Sequence, residues 1–221
     1  MKILLTGSSG FVGRNCLTTL LLNASEVRAQ YRNNLPRLSP EVINDLPRCE
    51  LVQADLEAHW TGSQARPWVE ALKQFRKCQP VARPDLVKSL QLPGSLMETA
   101  ERLVSGCDQV VHVAARTIDW GTESTFAAVN SAPTLALLLA AQKKGIKRFV
   151  YVSSIAIMGF GPHDGSDETG PYYDAPHPYQ SSKKGFGMSC GCDEFRENAN
   201  SDCPTRQYLG PRGHNDVLSD S

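Results

Sequence analysis

Short apolar runs alternate with longer segments of helical periodicity along much of the chain. The first run, Lys2–Thr6, has the length of a strand and stops at a glycine-rich turn. Beyond the turn, apolar residues recur at the three- and four-residue spacing of a helix. Four more strand-length runs follow, at Glu26–Tyr31, Leu51–Leu56, Gln109–Val113 and Arg148–Val152. Strands that alternate with helices in this way predict an α/β protein with a doubly wound parallel sheet.

Two of the helices between these strands are especially clear. Residues 95–103 have helical periodicity, and residues 126–142 are rich in leucine and alanine, with Gly145 where a C-terminal cap belongs. No apolar run approaches the length needed to span a bilayer. The sequence therefore predicts core helices and no membrane partner.

The pattern breaks down between about residue 59 and residue 93. Prolines interrupt this segment four times, Trp60 and Trp68 stand among polar residues, and only Val69–Phe75 indicates a helical turn or two. So long a segment between neighbouring strands is unusual in a compact domain. Three interpretations stay open: a lid, a disordered insertion, or translated sequence that does not belong to the domain.

The glycine-rich turn carries the first candidate chemistry. Gly7, Gly10 and Gly13 are three residues apart, between a predicted strand and a predicted helix. One glycine permits the turn, one lets a ligand approach the backbone, and one lets the helix lie close to the strand. Unpaired N–H groups at the helix start, near Phe11 and Val12, suit a dinucleotide pyrophosphate. An ordinary tight turn is the alternative, and the strand–helix alternation that follows disfavours it.

The end of the second strand bears on the choice of dinucleotide. An acidic residue at this point binds the ribose 2′-hydroxyl of NAD, whereas an arginine accommodates the 2′-phosphate of NADP. The chain has Tyr31 and Arg32 here and no carboxylate. The sequence therefore favours NADP, with NAD as the alternative if Arg32 is an ordinary surface cation.

Composition narrows the class of protein. The 221 residues are 41% apolar, which is enough for one substantial core. Twenty-three basic and 23 acidic residues cancel, so neither a nucleic acid nor an acidic membrane is an expected partner. The seven cysteines are scattered and odd in number, and the N-terminus has no signal pattern, so we expect a cytoplasmic protein. Cys190, Cys192, Cys203 and His214 match no common zinc spacing, and we expect no metal.

Small and polar residues follow the fourth and fifth predicted strands. Ala114 and Ala115 come after the fourth strand, and Ser153 and Ser154 after the fifth. In a doubly wound sheet, ligands bind at the carboxyl ends of the strands, where the glycine turn also lies. His112, which lies inside the fourth strand between apolar residues, is interpreted as a packed histidine and not as a catalytic one.

Tyr179 and Lys183 supply a candidate acid–base pair. They are four residues apart, so both lie on one face of a helix, although the same spacing also occurs on solvated helix faces. A phenol with its ordinary pKa of about 10 is a poor acid or base at neutral pH. A neighbouring ammonium group stabilises the phenolate and lowers that pKa toward the working range. A hydroxyl such as that of Ser154 would then hydrogen-bond the reacting oxygen.

Together these motifs resemble those of a known family. In chain order they are Thr6–Gly13, Asp55–Leu56, Val111–Ala115, Val129–Asn130, Phe149–Ser154, Asp167–Glu168 and Tyr179–Lys183. The set resembles the extended short-chain dehydrogenase/reductases, which are the NAD(P)-dependent epimerase/dehydratase group with a Rossmann-type sheet. Within that group, the chain looks most like the branch of 3β-hydroxysteroid dehydrogenases and dihydroflavonol reductases. The resemblance covers residues 1 to about 184, apart from the segment 59–93.

The resemblance implies roles for individual residues. The three glycines would hold the pyrophosphate, and Asp55, followed by Leu56, would lie beside the adenine. Tyr179 matches the catalytic acid–base, and Lys183 matches the residue that lowers its pKa and binds the nicotinamide ribose. Ser154 matches the catalytic serine, with the preceding serine as the fallback. The implied reaction passes a hydride between the nicotinamide and a carbon that bears a hydroxyl or carbonyl in a small molecule, such as a sugar nucleotide or a steroid.

The C-terminal part departs from the family pattern. Residues 185–221 are polar and have neither strand nor helix period, so we expect a largely disordered remnant of a substrate-binding lobe after a dinucleotide-binding domain at 1–184. Two functions stay open. The first is an NAD(P)-dependent oxidoreductase whose pocket is completed by the segment 59–93, by the loop 117–121, or by a second copy of the chain in a homodimer. The second is a non-catalytic nucleotide-binding or interaction protein derived from such an enzyme. The intact serine, tyrosine and lysine favour the first.

Overall fold

A parallel sheet of five strands forms the centre of the protein. The computed structural model describes residues 1–23, 26–37, 48–77, 89–118, 120–167, 170–174 and 176–189. The strands are β1 (Lys2–Thr6), β2 (Glu26–Tyr31), β3 (Cys49–Gln53), β4 (Gln109–His112) and β5 (Arg148–Tyr151). Their order is β3-β2-β1-β4-β5, and every neighbouring pair is parallel. The predicted doubly wound parallel sheet is therefore confirmed.

The strand order makes the carboxyl end of β1 a switch point. The chain runs outward from β1 through β2 to β3, and then crosses to β4 on the other side of β1. Thr6, the last residue of β1, is paired in register with His112, the last residue of β4. A crevice opens between strands at such a point. The glycine turn and the residues after β4 therefore meet at the same crevice.

Five helices cover the sheet in the part of the chain that is described. They are α1 (Phe11–Leu22), α2 (Arg66–Lys77), α3 (Gly94–Val104), α4 (Glu123–Lys143) and α5 (Pro178–Ser189). Helix α4 contains a π-helical turn at Ala127–Ser131. Short 3₁₀ helices lie at Gly62–Ala65 and Ile155–Met158.

The sheet divides the core into two clusters. On one face, α1 packs through Leu17 and Leu21 against Leu5 of β1 and its neighbours in β2. On the other face, α2, α3 and α4 pack together with Leu4 of β1 and Val110 of β4. Successive residues of a strand point to opposite faces. Because both faces are covered, β1 is apolar at consecutive positions instead of alternating, and this explains its strong signal in the sequence.

Helix α2 corrects the prediction for residues 59–93. Its buried side chains have the three- and four-residue spacing of an amphipathic helix and belong to the larger cluster; they are Trp68, Ala71, Leu72 and Phe75. The Trp68 indole N–H donates a hydrogen bond of 3.0 Å to the carbonyl of Gln91. The described part of the segment is thus a piece of the core and not a lid. The helical turns predicted at Val69–Phe75 are confirmed, since they lie within α2, but the helix is longer than predicted because prolines and charged residues around it obscure the helical period.

Helix α4 also differs from one expectation. By length and composition its 21 residues suffice to cross a membrane, so the statement that no apolar run approaches that length was wrong. In this fold, however, 78% of the most apolar stretch of α4 is buried within the protein. A core helix passes the same test as a membrane span, and the burial of α4 agrees with the prediction of a core helix.

Some sequence predictions fall outside the described residues. These are residues 78–88 of the segment 59–93, residues 190–221 of the predicted remnant 185–221, and the four residues weighed as metal ligands. The first five residues of that remnant are helical and form the end of α5, which corrects the predicted boundary.

Candidate active site

The segments singled out in the sequence lie at the carboxyl ends of neighbouring strands. The glycine turn follows β1, Ala114 and Ala115 follow β4, and two serines follow β5. Helix α5 packs against the 3₁₀ helix that comes after β5. It therefore brings Tyr179 and Lys183 to the same edge of the sheet.

Gly7 and Gly13 have to be glycines because a side chain at either position would collide with the backbone of the protein. Gly7 has a φ of 67°, and a Cβ at this position would lie 2.7 Å from the Cα of Ala114. A Cβ on Gly13 would overlap the carbonyl oxygen of Gly7. These two glycines let strand, turn and helix approach one another, which is the role that the sequence predicts for two of the three.

Gly10 is not constrained in this way. A Cβ at Gly10 would come no closer than 3.4 Å to a protein atom, the carbonyl oxygen of Gly7. Gly10 is exposed and forms the N-cap of α1, where no side chain hydrogen-bonds the first N–H groups. These donors, in the turn that begins with Phe11 and Val12, are left for a ligand or water. The open space above Gly10 and the N–H groups at the start of α1 form a cradle that fits a pyrophosphate. The phosphate oxygens would accept hydrogen bonds from these N–H groups and would occupy the space that a side chain at Gly10 would fill.

Gln30 of β2 fastens the glycine turn, and the sequence analysis missed it. Its side-chain oxygen accepts a hydrogen bond from the Gly7 N–H at 2.9 Å, and its amide nitrogen donates one to the Ala54 carbonyl at 2.6 Å. Its own carbonyl accepts bonds from both the backbone N–H and the hydroxyl of Ser8. Gln30 thus joins the turn to β2 and to the residues after β3. The signal in the sequence was slight: a glutamine near the end of a strand.

Arg32 and Asp55 meet at the ends of β2 and β3 through Glu57. The Arg32 guanidinium lies 3.2 Å from a carboxylate oxygen of Glu57. The Asp55 carboxylate accepts a 2.8 Å hydrogen bond from the Glu57 N–H, and Leu56 between them is buried. The sequence analysis missed Glu57. It places an acidic partner beside the residue that was taken to select NADP.

Lys183 is buried behind the carboxyl edge of the sheet. Only 3% of the surface of Lys183 is exposed to solvent. The Nζ atom donates a 2.9 Å hydrogen bond to the carbonyl of Val152 and lies 4.6 Å from the ring centre of Tyr151. Burial lowers the pKa of Lys183 from 10.5 to about 8. The carbonyl and the aromatic face still favour the ammonium form, so a positive charge is held at this depth near neutral pH.

Tyr179 lies in the first turn of α5, one helical turn before Lys183. The two residues therefore share a face of the helix, as the spacing predicts. The Tyr179 ring packs edge-on against Phe126 of α4, with ring centroids 6.2 Å apart. Phe126 is fully buried, so the phenol ring is fixed by contact with the core.

The two serines after β5 have different surroundings. The Ser154 hydroxyl oxygen accepts a 3.2 Å hydrogen bond from the Ala156 N–H, which caps the 3₁₀ helix Ile155–Met158. That bond leaves the hydroxyl hydrogen of Ser154 free to donate. The Ser153 hydroxyl is buried and has no hydrogen-bond partner among the described residues. Both hydroxyl groups therefore keep a hydrogen for which the described residues show no acceptor.

His112 agrees with its interpretation as a packed strand histidine. It is 1% exposed. Burial, followed by the nearby charge of Lys183, lowers the pKa of His112 to about 3. The ring is therefore uncharged near neutral pH, and it hydrogen-bonds Thr6 on one side and Thr134 on the other.

The described part of the chain brings no three His, Cys, Asp or Glu side chains together in the manner of a metal site. Cys16, Cys49 and Cys107 are free thiols, and burial raises the pKa of each. The edge of the sheet supplies backbone donors, hydroxyl groups, one phenol and one buried ammonium.

Comparison with known proteins identifies the family of the chain. The family model described as the NAD dependent epimerase/dehydratase family matches residues 3–186. The chain is 28% identical over 182 residues to a 3β-hydroxysteroid dehydrogenase/Δ5→4-isomerase of Mycobacterium tuberculosis, covering 78% of this chain and 37% of that protein. It is 28% identical over 189 residues to a dTDP-glucose 4,6-dehydratase of Streptomyces niveus, covering 83% and 46%. The chain thus spans less than half the length of these relatives.

Solved structures show the same fold. The UDP-Glc/GlcNAc 4-epimerase of Campylobacter jejuni superposes with a TM-score of 0.61 at 20% identity, over 89% of this chain and 50% of the other. The UDP-glucuronic acid 4-epimerase of Bacillus cereus in complex with NAD gives 0.58 at 19% identity, over 90% and 52%. At such identities the likeness concerns the fold alone. Because the family model spans most of the chain, the chain belongs to the NAD dependent epimerase/dehydratase family.

Proposed function

We propose that the chain is an NAD(P)-dependent enzyme of the oxidoreductase or epimerase type, acting on a hydroxyl- or carbonyl-bearing carbon of a small molecule. One observation carries the proposal: the buried ammonium of Lys183 lies one helical turn from Tyr179, at the sheet edge where Gly10 leaves an open cradle. Family membership supports it. The relatives named above for steroids and nucleotide sugars support a small molecule as the substrate class.

Three side chains of this chain would handle the substrate oxygen. When bound, the nicotinamide supplies or accepts the hydride. Tyr179 holds the proton that moves to or from the substrate oxygen. The Lys183 ammonium puts a positive charge one helical turn from that phenol, where it would stabilise the phenolate that forms during proton transfer. Ser154 donates a hydrogen bond to the substrate oxygen and so fixes its position.

Arg32 supports NADP as the preferred dinucleotide. Its side chain is 52% exposed at the end of β2, where the adenosine ribose of a dinucleotide lies in this fold. A 2′-phosphate there would compete with Glu57 for the guanidinium. NAD is the alternative, since Glu57 already neutralises Arg32.

The proposed setting is the cytoplasm. The free thiols of Cys16, Cys49 and Cys107 support a reducing compartment. The balance of charge supports a small-molecule partner over a nucleic acid or a membrane. A second copy of the chain, in a homodimer, remains the expected protein partner.

A non-catalytic nucleotide-binding or interaction protein is the second candidate. It is favoured by large apolar side chains that are exposed after β4 and β5, among them Trp120 at 84% and Phe160 at 68%. Exposed apolar groups close to a site suit a protein partner as well as an apolar substrate.

Two measurements on the purified chain separate the candidates. The first is calorimetric titration with NADPH and NADH. The second is turnover of a panel of aldehydes, ketones, nucleotide sugars and ketosteroids, measured as NADPH oxidation for a reductase and by product analysis for an epimerase, which regenerates its dinucleotide. The enzyme proposal expects binding and turnover, whereas the non-catalytic nucleotide-binding protein expects binding without turnover. Absence of dinucleotide binding would refute the enzyme and the nucleotide-binding protein, and would leave only the interaction protein.

A further inference from the structure

A chain of buried hydrogen bonds runs through His112 at the centre of the sheet. Its Nδ1 atom lies 2.7 Å from the hydroxyl oxygen of Thr6, the last residue of β1. Its Nε2 atom lies 2.9 Å from the hydroxyl oxygen of Thr134 in α4. All three side chains are almost inaccessible to solvent. The imidazole thus connects β1, which leads into the glycine turn, with helix α4.

The surroundings of Thr6 fix the direction of the first bond. The Thr6 hydroxyl oxygen accepts backbone N–H groups from Val113 at 3.1 Å and from Ala114 at 3.2 Å. With both acceptor positions used, the hydroxyl hydrogen points to Nδ1 of His112. Nδ1 is therefore an acceptor, and the proton of the uncharged ring is on Nε2.

The second bond continues the chain toward the catalytic helix. His112 donates from Nε2 to the Thr134 hydroxyl, which in turn donates to the Asn130 carbonyl at 2.6 Å. The Asn130 side-chain amide donates to the Ser182 hydroxyl at 3.0 Å, and Ser182 donates to the carbonyl of Tyr179 at 2.7 Å. Every donor in this path has an acceptor, and this holds only when each hydrogen bond is donated in the direction from Thr6 toward Tyr179.

We propose that His112, as the uncharged Nε2–H tautomer, is a positioning residue that ties the glycine turn to the catalytic helix α5. The coupling rests on the proposed function in treating the turn as the dinucleotide site and α5 as the catalytic helix. At one end of the network, Thr6 is the last residue of β1 and leads directly into the glycine turn. At the other end, the Ser182 hydroxyl donates to the backbone carbonyl of Tyr179. A shift at one end of the network therefore changes the distance between the dinucleotide and the phenol.

Histidine suits this place because it combines an acceptor and a donor on one rigid ring. A charged imidazolium would present two donors and face the hydrogen of the Thr6 hydroxyl. Burial and the positive charge of Lys183 both oppose that form, in agreement with a pKa of about 3. The same surroundings that exclude His112 from acid–base catalysis thus preserve the one tautomer that completes the path.

The tautomer can be observed directly. In protein with ¹⁵N-labelled histidine, long-range ¹H–¹⁵N correlation spectra distinguish Nδ1–H, Nε2–H and imidazolium rings. Assignment by comparison with a His112→Asn sample identifies the signal. We expect the Nε2–H form at pH 7. An Nδ1–H or charged ring would overturn the proposal whether or not the protein binds a dinucleotide.

Two substitutions divide the network at the ring. Asparagine places an amide oxygen near the position of Nδ1, so His112→Asn keeps the acceptor for Thr6 and loses the donor to Thr134. Glutamine places an amide nitrogen near the position of Nε2, so His112→Gln keeps the donor and loses the acceptor. We expect His112→Gln to weaken dinucleotide binding about five- to tenfold, as loss of one buried hydrogen bond does. We expect His112→Asn to bind normally but to speed amide exchange in residues 178–185 by a similar factor, measured by hydrogen exchange and mass spectrometry.

A matched control separates coupling from general destabilisation. Val110→Ala removes buried apolar volume from the same strand without touching the network. It should lower the melting temperature while leaving both readouts near their native values. If both His112 variants instead follow Val110→Ala, or if either of them leaves its own readout unchanged, the residue is merely structural and the proposal fails.

Further variants keep the test decisive if the His112 variants do not fold. Thr134→Val removes one hydroxyl at nearly constant volume and should reproduce the exchange effect of His112→Asn. Unchanged exchange in a folded Thr134→Val protein would overturn the proposal. Native protein that binds no dinucleotide would refute the proposed function, and the tautomer and exchange measurements would still decide the role of His112.

Discussion

The glycine turn and the catalytic helix are the two halves of the candidate site, and they are held in different ways. The turn is made of consecutive residues, and its shape follows from the positive φ of Gly7 and the close approach at Gly13. Helix α5 is held by segments that are distant in sequence. The carbonyl of Val152 receives Lys183, and Phe75 of α2 lies where a methyl group on Gly185 would overlap its ring.

The difference indicates which changes each half tolerates. A turn fixed by backbone sterics needs few partners, but it cannot accept a side chain where two backbone segments touch. A helix fixed by packing accepts small local changes, yet it depends on α2 and α4 for its position. We therefore expect changes in the turn to affect dinucleotide binding, and changes in α5 to affect turnover.

The sharpest separation of the two halves comes from Tyr179→Phe. The substitution removes the transferable proton and leaves the ring packed on Phe126. Turnover should fall by about two to four orders of magnitude, the usual share of acid–base catalysis, while calorimetric NADPH affinity stays unchanged. Tyr173→Phe, which loses a surface bond to the Pro162 carbonyl, is the control. Full activity in Tyr179→Phe would show that the phenol is not the acid–base.

Within the turn, Gly10 and Gly13 should respond in different ways to the same substitution. Gly10→Val fills the ligand cradle, and its Cβ meets the Gly7 carbonyl oxygen only at an ordinary van der Waals distance. NADPH affinity should therefore fall by about a hundredfold or more, with a melting temperature within about 5 °C of native. Gly13→Val collides with the Gly7 carbonyl and should destabilise the fold itself. Native NADPH affinity in a folded Gly10→Val protein would mean that the dinucleotide does not lie on this turn.

The low pKa of Lys183 makes the stability of the protein depend on pH. Its folded pKa of about 8 lies below the ordinary 10.5, so between these values the unfolded chain binds more protons and stability rises with pH. Native protein should gain about 2 kcal/mol in free energy of unfolding between pH 7 and pH 10 relative to Lys183→Met. Urea titrations of both proteins at the two pH values measure the gain. Parallel changes in the two proteins would show that Lys183 is not held in a low-pKa site.

Arg32→Ala should have the smallest effect, because the residue is largely solvent-exposed. NADPH binding should weaken by about tenfold, in the range of one charge-assisted hydrogen bond, and NADH binding should not change. Glu57→Gln is the matched partner variant: it frees the guanidinium and should strengthen NADPH binding. Equal affinity of the native protein for NADPH and NADH would remove the case for NADP.

Much of the fold followed from local patterns in the sequence. The five strands were placed to within about three residues of their observed ends. The prediction was most accurate for strands such as β1, which is buried and apolar at consecutive positions, and least accurate for β3, which is largely exposed. The glycine spacing predicted strand, turn and helix, since the steric reasons for Gly7 and Gly13 lie within a few residues. The four-residue spacing of Tyr179 and Lys183 sufficed to place them on one helix face.

Helix α2 shows where local patterns were misread. Trp68, Ala71, Leu72 and Phe75 carry the helical period, but prolines and charges around them suggested an irregular segment. Their burial depends on what they meet. The contact of Phe75 with Gly185 joins residues more than a hundred positions apart, and no window of sequence contains both.

The sequence by itself determined the order of strands and helices, the glycine turn, and the identity of the groups that can carry a proton or hold a pyrophosphate. Tertiary structure alone decided the surroundings of those groups. It buried Lys183 under Val152, paired Arg32 with Glu57, fastened the turn with Gln30, and set His112 between Thr6 and Thr134. The physical reason is that the free energy of a buried polar group depends on its partners and on the exclusion of water. Those partners come from strands and helices that only the folded sheet brings together.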